Sequence, residues 1–247
     1  MPHHDEHDIF IRMEDVDDHA DAEKLRKVIK NLQEENLRLV NLAPKRANPA
    51  VVGLASFGAT TILLQLHNLG WIPVGTIVWL GLVFGGSAQL IAGLMEFATG
   101  NNFGFCAFTT YGSFWISLCG ILLSKQLKIY EISEEEIGAF LLVFALLTLI
   151  LWVASARLNM ALFTTFTLLV LGFVLLIVAH TAHSAAVTKV AAIDLILCSL
   201  AAWYCMAHVI FLEVNKGKDI LPLGPSPFAL IFERSLKTTA ASPVSKA

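Results

Sequence analysis

Six stretches of the chain are apolar almost without interruption: residues 50–69, 74–95, 105–124, 137–154, 160–180 and 187–212. Each runs for 18 to 26 residues. About 20 apolar residues in a helix cross the hydrocarbon of a bilayer. A membrane β-barrel would instead alternate apolar and polar positions over about 10 residues. The pattern therefore predicts an all-α, polytopic membrane protein with six transmembrane helices. Ahead of them, Leu25, Val28, Leu32, Leu39 and Leu42 recur every three or four residues, broken once by Glu35. Lys24, Arg26, Lys27, Lys30 and Arg38 lie around that stripe. Residues 21–43 thus read as a short amphipathic helix: a coiled coil, a surface-lying helix or a cap on the membrane domain. Residues 1–20 read as a disordered acidic lead, 48–224 as the six-helix domain, and 225–247 as a C-terminal tail.

Composition agrees with the pattern. Of 247 residues, 56% are hydrophobic and only 15% are charged, against roughly 25% charged in ordinary soluble domains. Mean hydropathy is +0.68. A secreted enzyme, a disulfide scaffold and a nucleic-acid binder are excluded on these grounds. No basic start precedes an apolar h-region, so no signal peptide is expected and the first span serves as the insertion signal. Cys106, Cys119, Cys198 and Cys205 all fall inside apolar runs and read as packing residues.

The net charge of −3 gains meaning when the basic residues are divided by side. With six spans both tails share a side. That side holds 14 Lys and Arg, and the other holds Lys125, Lys128 and Lys189 alone. The positive-inside rule then places both termini, and the amphipathic helix, in the cytoplasm. The plasma membrane is the default location, because no organelle signal is legible.

Polar residues inside the spans carry the candidate chemistry. Asn48-Pro49-Ala50 is a sharp helix start: Asn caps orphan N–H groups and Pro tolerates the first turn. Such an N-terminus attracts anions, though it also reads as a plain cap. On the first span Ser56, Thr60 and His67 share a face, with Thr61 beside them. Gly85, Gln89, Gly93 and Glu96 form a stripe on the second span, and Thr109, Ser113, Ser117 and Ser124 one on the third. Small and hydroxyl residues by themselves indicate tight packing, as does Gly81-x-x-x-Gly85. Gln89 and Glu96 favour a hydrated pathway, since an ionisable residue in a membrane normally faces a cavity or a partner. Asn48, Thr60, Thr61, His67, Gln89, Glu96, Asn101 and Thr109 are accordingly assigned to its lining. No Lys or Arg lies in spans one to three, so a small solute would bind weakly and leave. Glu96 and His67 are candidates for coupled protons.

The later spans are plainer. His180 and His183 read as an interfacial pair with no acidic residue close in sequence. Asp194 reads as structural, with Lys189 as its candidate partner. No nucleophile elbow, phosphate-binding loop or metal-ligand spacing occurs, so neither an enzyme nor a cofactor or metal site is expected.

NPAVVGLASFGATTILLQLHNLG at 48–70, GGSAQLIAGLMEFATGNNFGFCAFTTYGSFW at 85–115 and ILPLG at 220–224 resemble the acetate uptake transporter family. That family includes bacterial succinate–acetate permeases and fungal acetate/ammonia transporter proteins. The resemblance spans about 48–224. It implies six-helix protomers assembled as homo-hexamers, each with its own pathway for acetate, in some cases succinate, often with protons. It also implies a narrow apolar-aromatic constriction, at Phe57, Tyr111 and Leu169 here. Where the family has NPAPLGL, this chain has Val51 and Val52 in place of Pro and Leu, a change that bears on substrate preference. Two other readings remain beside the carboxylate transporter: an ammonia channel or exporter, and a membrane scaffold or sensor working through residues 21–43.

Overall fold

A computed structural model describes residues 20–42 and 47–231. The acidic lead, its MPHHDEH start and the last residues of the tail lie outside that range. The described residues contain helices and no strands. The elements are α1 (Ala20–Leu42), α2 (Ala50–Asn68), α3 (Gly75–Leu80), a π-helical stretch (Gly81–Ala88), α4 (Gln89–Phe97), α5 (Asn102–Gln126), α6 (Glu134–Ser155), α7 (Met160–Thr181) and α8 (Ala185–Val214). From α3 to α4 the chain runs as one span, so six helices are long and apolar enough to cross a membrane.

The chain divides into two units, residues 1–47 and 48–247. In the first, α1 occupies the stretch whose spacing predicts a helix. Leu25, Val28 and Leu32 of its apolar stripe are exposed, as are Ile29 and Leu37.

In the second unit the spans form a ring. α2 packs between α8 and the second span, α8 on α7, and α7 on α6; α5 packs on the second span and closes the ring against α6 along its thinnest seam. Lipid is as apolar as leucine, so burial from water does not pull these helices together; close van der Waals packing does. α4 and α5 show how. A Cβ on Gly93 would stand 2.5 Å from the Thr109 backbone nitrogen, and one on Gly112 would stand 2.7 Å from that of Leu90. Each glycine admits the other helix's backbone. Between the adjacent α8 and α2, the Trp203 indole donates to the Ala55 carbonyl at 3.2 Å.

Helix ends are closed by side chains. Asn101 Oδ1 accepts from Gly104 N–H at 3.1 Å, and Asn159 Oδ1 from Leu162 N–H at 2.8 Å. Ser133 and Glu136 make a reciprocal capping box at the start of α6. Asn48 Oδ1 accepts from Ala50 N–H at 2.9 Å, as its place before Pro49 predicts. ILPLG folds back beneath the bundle: the Leu223 carbonyl accepts from Ala161 N–H, an orphan donor of the α7 first turn. The boundary expected at 225 falls inside this docked segment, because Phe228 N–H donates to the Ala156 carbonyl and its ring lies 4.1 Å beneath the Arg157 guanidinium.

Gly112→Val should separate α4 from α5. Overpacking of a tight contact costs about 1–3 kcal/mol. The expected outcome is a lower melting temperature in detergent, read by tryptophan fluorescence, while Gly120→Val, at an open position, melts like the parent.

Candidate functional site

α2, α5 and α7 run in the same direction and turn aromatic and aliphatic side chains toward one another. Phe57, Tyr111 and Leu169, one from each helix, are 7%, 4% and 5% exposed. The Phe57 and Tyr111 rings lie 5.8 Å apart, centroid to centroid, and Phe166 stands 6.4 Å from Tyr111. A cavity lies on each side of this layer. One, of about 40 Å³, is lined by Leu54, Gln89, Phe103, Leu162, Thr165 and Phe166, toward the end where α2, α5 and α7 begin. The other, of about 30 Å³, is lined by Thr61, Leu64, Gln65, Phe114, Phe173 and Leu176, toward the opposite end. Phe57, Tyr111 and Leu169 line both. Each cavity has space for about two or three water-sized spheres.

Beyond the second cavity a vestibule of about 360 Å³ opens. Leu64, Phe114 and Leu176 line both spaces. His67, Asn68, Lys125, Glu134 and His180 line the vestibule. Glu134 organises it: one oxygen accepts from Lys125 Nζ at 2.8 Å and the other bonds His180 Nδ1 at 2.6 Å. The cluster joins α5, α6 and α7. The expectation that no acidic residue joins the histidine pair is corrected here, because His180 meets Glu134 and His183 lies 3.8 Å from Glu135. Sequence distance hid the partners, which α6 brings from 46 residues away.

Tyr111 is held by one bond. Its hydroxyl lies 2.9 Å from Thr148 Oγ1, and Thr148 donates its own proton to the Phe144 carbonyl at 2.6 Å. Tyr111 is therefore the donor. Thr148 is fully buried and was not among the predicted residues. Its signal was faint but present: it is the one hydroxyl in an otherwise apolar stretch of α6.

Gln89 is fully buried, and neither its amide nitrogen nor its carbonyl oxygen has a hydrogen-bond partner. It borders the first cavity one helix away from Phe57. A π-helical stretch, Gly81–Ala88, ends just before it. Ser87 Oγ donates to the Leu82 carbonyl five residues back, as a π turn allows. π stretches of this kind often mark functional sites.

The other predicted lining residues are placed as follows. Thr61 lines the second cavity and His67 the vestibule, with His67 Nδ1 bonded to the Ile72 carbonyl at 2.9 Å. Thr60 faces the second span instead, where a Cβ on Gly85 would stand 2.6 Å from its hydroxyl oxygen. Thr109 lies between α4 and α5, donating to the Phe105 carbonyl at 2.6 Å. Ser113 and Ser117 point out of the protomer, so the third-span stripe does not face the cavities. Glu96 is buried beside the turn into α5, where Asn101 Nδ2 and Thr99 Oγ1 donate to its Oε2 at 2.8 and 3.1 Å. Glu96 and Asn101 brace that turn rather than line a cavity, and Asn48 is exposed at the start of α2. Among the described residues no cluster of His, Cys, Asp or Glu has the makings of a metal site.

Thr148→Val should strand the Tyr111 hydroxyl in an apolar site. An unmade buried hydrogen bond costs about 1–3 kcal/mol. A double-mutant cycle of thermal melts with Tyr111→Phe is expected to show coupling: the double variant should lose less than the two single losses combined.

The chain matches the model of the GPR1/FUN34/yaaH family over residues 35–217. It is 40% identical over 185 residues to the succinate-acetate/proton symporter SatP of Escherichia coli, covering 74% of this chain and 97% of that protein. It is 33% identical to acetate permease A of Emericella nidulans over 66% of this chain and 61% of that protein. The same identity links it to ammonia transport outward protein 2 of Saccharomyces cerevisiae, over 65% of this chain and 60% of that protein. The solved structure of the bacterial acetate channel SatP superposes with a TM-score of 0.70 at 37% identity, covering 73% of this chain and all of that one. With six spans, this arrangement of side chains and a match across most of its length, the chain is a membrane protein of the GPR1/FUN34/yaaH family.

Proposed function

We propose that this protein carries acetate and related small monocarboxylates, succinate among them, across a membrane in step with protons. The observation that carries this reading is the layer of Phe57, Tyr111 and Leu169 with a cavity on each side. Acetate has an apolar end and a charged end. The layer accepts the methyl group and excludes water, and the unpartnered Gln89 amide offers N–H donors to the carboxylate. No Lys or Arg lines either cavity. An anion held only by such dipoles leaves as readily as it enters, which conduction requires. The names of the bacterial and fungal relatives support the same substrate class.

The direction follows from charge. The excess of Lys and Arg in the sequence on the side shared by the two termini supports a cytoplasmic location for both, with the vestibule of His67, Lys125 and His180 facing out. The plasma membrane is the proposed location. Homo-hexamers are the proposed assembly, with the exposed Ser113 and Ser117 stripe at a subunit face.

The test is labelled acetate uptake into proteoliposomes, with and without an inward proton gradient, and with ammonium measured in parallel. Gradient-stimulated acetate uptake that is lost in Phe57→Arg supports the proposal. Ammonium flux without acetate flux replaces it with the ammonia reading, which the yeast relative's name supports. Removal of residues 1–43 is expected to leave acetate flux intact; folded protein with neither flux would instead favour the scaffold reading. Gln89→Leu removes a donor to a charged group, worth about 1.5–3 kcal/mol. At low substrate it is expected to cut acetate uptake about tenfold or more.

A further inference from the structure

Asp194 is the tenth residue from the outer end of α8, a helix of 30. At 1.5 Å per residue it stands about 14 Å down the helix, well inside the span. It is 8% exposed, whereas Val190, Ile193 and Leu197 of the same helix turn outward and are more than half exposed. Lipid and neighbouring subunits therefore do not reach most of it. Its Oδ2 is buried and has no hydrogen-bond partner. The pairing with Lys189 that the sequence suggests is not made.

No cation on the packed helices takes its place. α8 packs on α7 and α2. On α7 the sole titratable residue is His180, held by Glu134. On α2 it is His67, held by the Ile72 carbonyl. On α8 itself Cys198 is one turn away, and its thiol donates to the Thr165 carbonyl at 3.3 Å. Lys189 is exposed, and His208 is bonded to the Leu221 carbonyl near the other end. A carboxylate inside a membrane protein with no counter-charge is expensive, and such residues mark proton relays.

Its surroundings place the carboxyl beside the transport route. A Cβ on Gly172 would run into the Leu195 side chain first and would lie 3.0 Å from Asp194 Oδ2, so the missing side chain admits Leu195 and, next to it, the carboxyl. Leu169, Phe173 and Leu176, which flank Gly172 on α7, line the second cavity, and so does Leu195, the next residue after Asp194. The carboxyl thus lies beside Leu195, the α8 residue that fills the space at Gly172 and lines that cavity.

We infer that Asp194 is the proton-binding group that makes acetate passage respond to the proton gradient, by exchanging its proton with the cavity on the outer side of the Phe57/Tyr111/Leu169 layer. Protonated, the group is neutral and lets a carboxylate enter that cavity. Ionised, it repels one. The proton passes between the carboxyl oxygen and water in the cavity, and no other bond forms or breaks. This inference rests on the acetate reading above.

The test uses the full-length protein in proteoliposomes and compares the parent with Asp194→Asn and Asp194→Glu. The parent's initial acetate uptake is expected to rise severalfold with an inward proton gradient. Asp194→Asn, which keeps the shape and removes the titration, is expected to conduct acetate with no response to the gradient. Asp194→Glu is expected to keep the response with a displaced pH profile. The infrared spectrum of the same vesicles supplies a second measurement: a carboxylic C=O stretch that fades as pH rises in the parent and is missing in Asp194→Asn. An Asp194→Asn protein as gradient-sensitive as the parent, or with the titrating band intact, overturns the assignment and leaves the acetate reading standing. A parent that moves acetate without regard to the gradient overturns the coupling itself. A parent that moves no acetate overturns the reading beneath it.

Discussion

A buried polar group inside a bilayer has no water to bond, and this constraint orders the whole molecule. It forces the backbone into six helices whose N–H and C=O groups are spent within each span. It explains why helix ends are closed by Asn101, Ser133 and Asn159, and why the Leu223 carbonyl returns to the first turn of α7. It also makes every polar side chain in a span informative. Most are tied down: Ser56 to the carbonyls of its own helix, Thr148 to Phe144, the Trp203 indole to Ala55. Of the few that are not tied, Gln89 borders a cavity and Asp194 adjoins the cavity-lining Leu195, while Thr60 Oγ1 and Glu96 Oε1 lie between helices.

The same constraint shapes the central layer. Phe57 and Leu169 carry no polar atom, and Tyr111 hides its hydroxyl in a bond to Thr148 on α6. What remains facing the cavities is hydrocarbon. The layer separates two small spaces, and the vestibule beyond is organised by Glu134 between Lys125 and His180. Polar capture at the mouth, an apolar neck and an amide donor beyond it make a route suited to a small amphiphilic anion. Close helix approach at Gly93 and Gly112 keeps the second and third spans rigid enough to hold one side of that neck.

Much of the architecture was legible in the sequence, because the bilayer demands long apolar runs and all six runs became helices. The central layer was legible only through resemblance: one Phe, one Tyr and one Leu among so many apolar residues carry no periodic signal. Polar stripes were a partial guide. Gly85, Gln89, Gly93 and Glu96 are all buried, as their spacing implies, yet only Gln89 borders a cavity. Spacing shows which residues share a face, not whether that face meets a cavity, a neighbouring helix or lipid. Ser113 and Ser117 went to the protomer surface and Thr109 to a helix contact for that reason. Thr148 and the Glu134–His180 pair were missed because their partners lie 37 and 46 residues away, a separation set by tertiary packing alone.

The account stands or falls on acetate passing through the layer itself. Leu169→Cys, in a background where the exposed Cys106 is replaced by serine, puts a reactive group at that point. Acetate flux is then measured in proteoliposomes before and after treatment with a bulky thiol reagent. The account predicts that labelling stops the flux and that added acetate slows the labelling. Complete labelling with undiminished flux would contradict it.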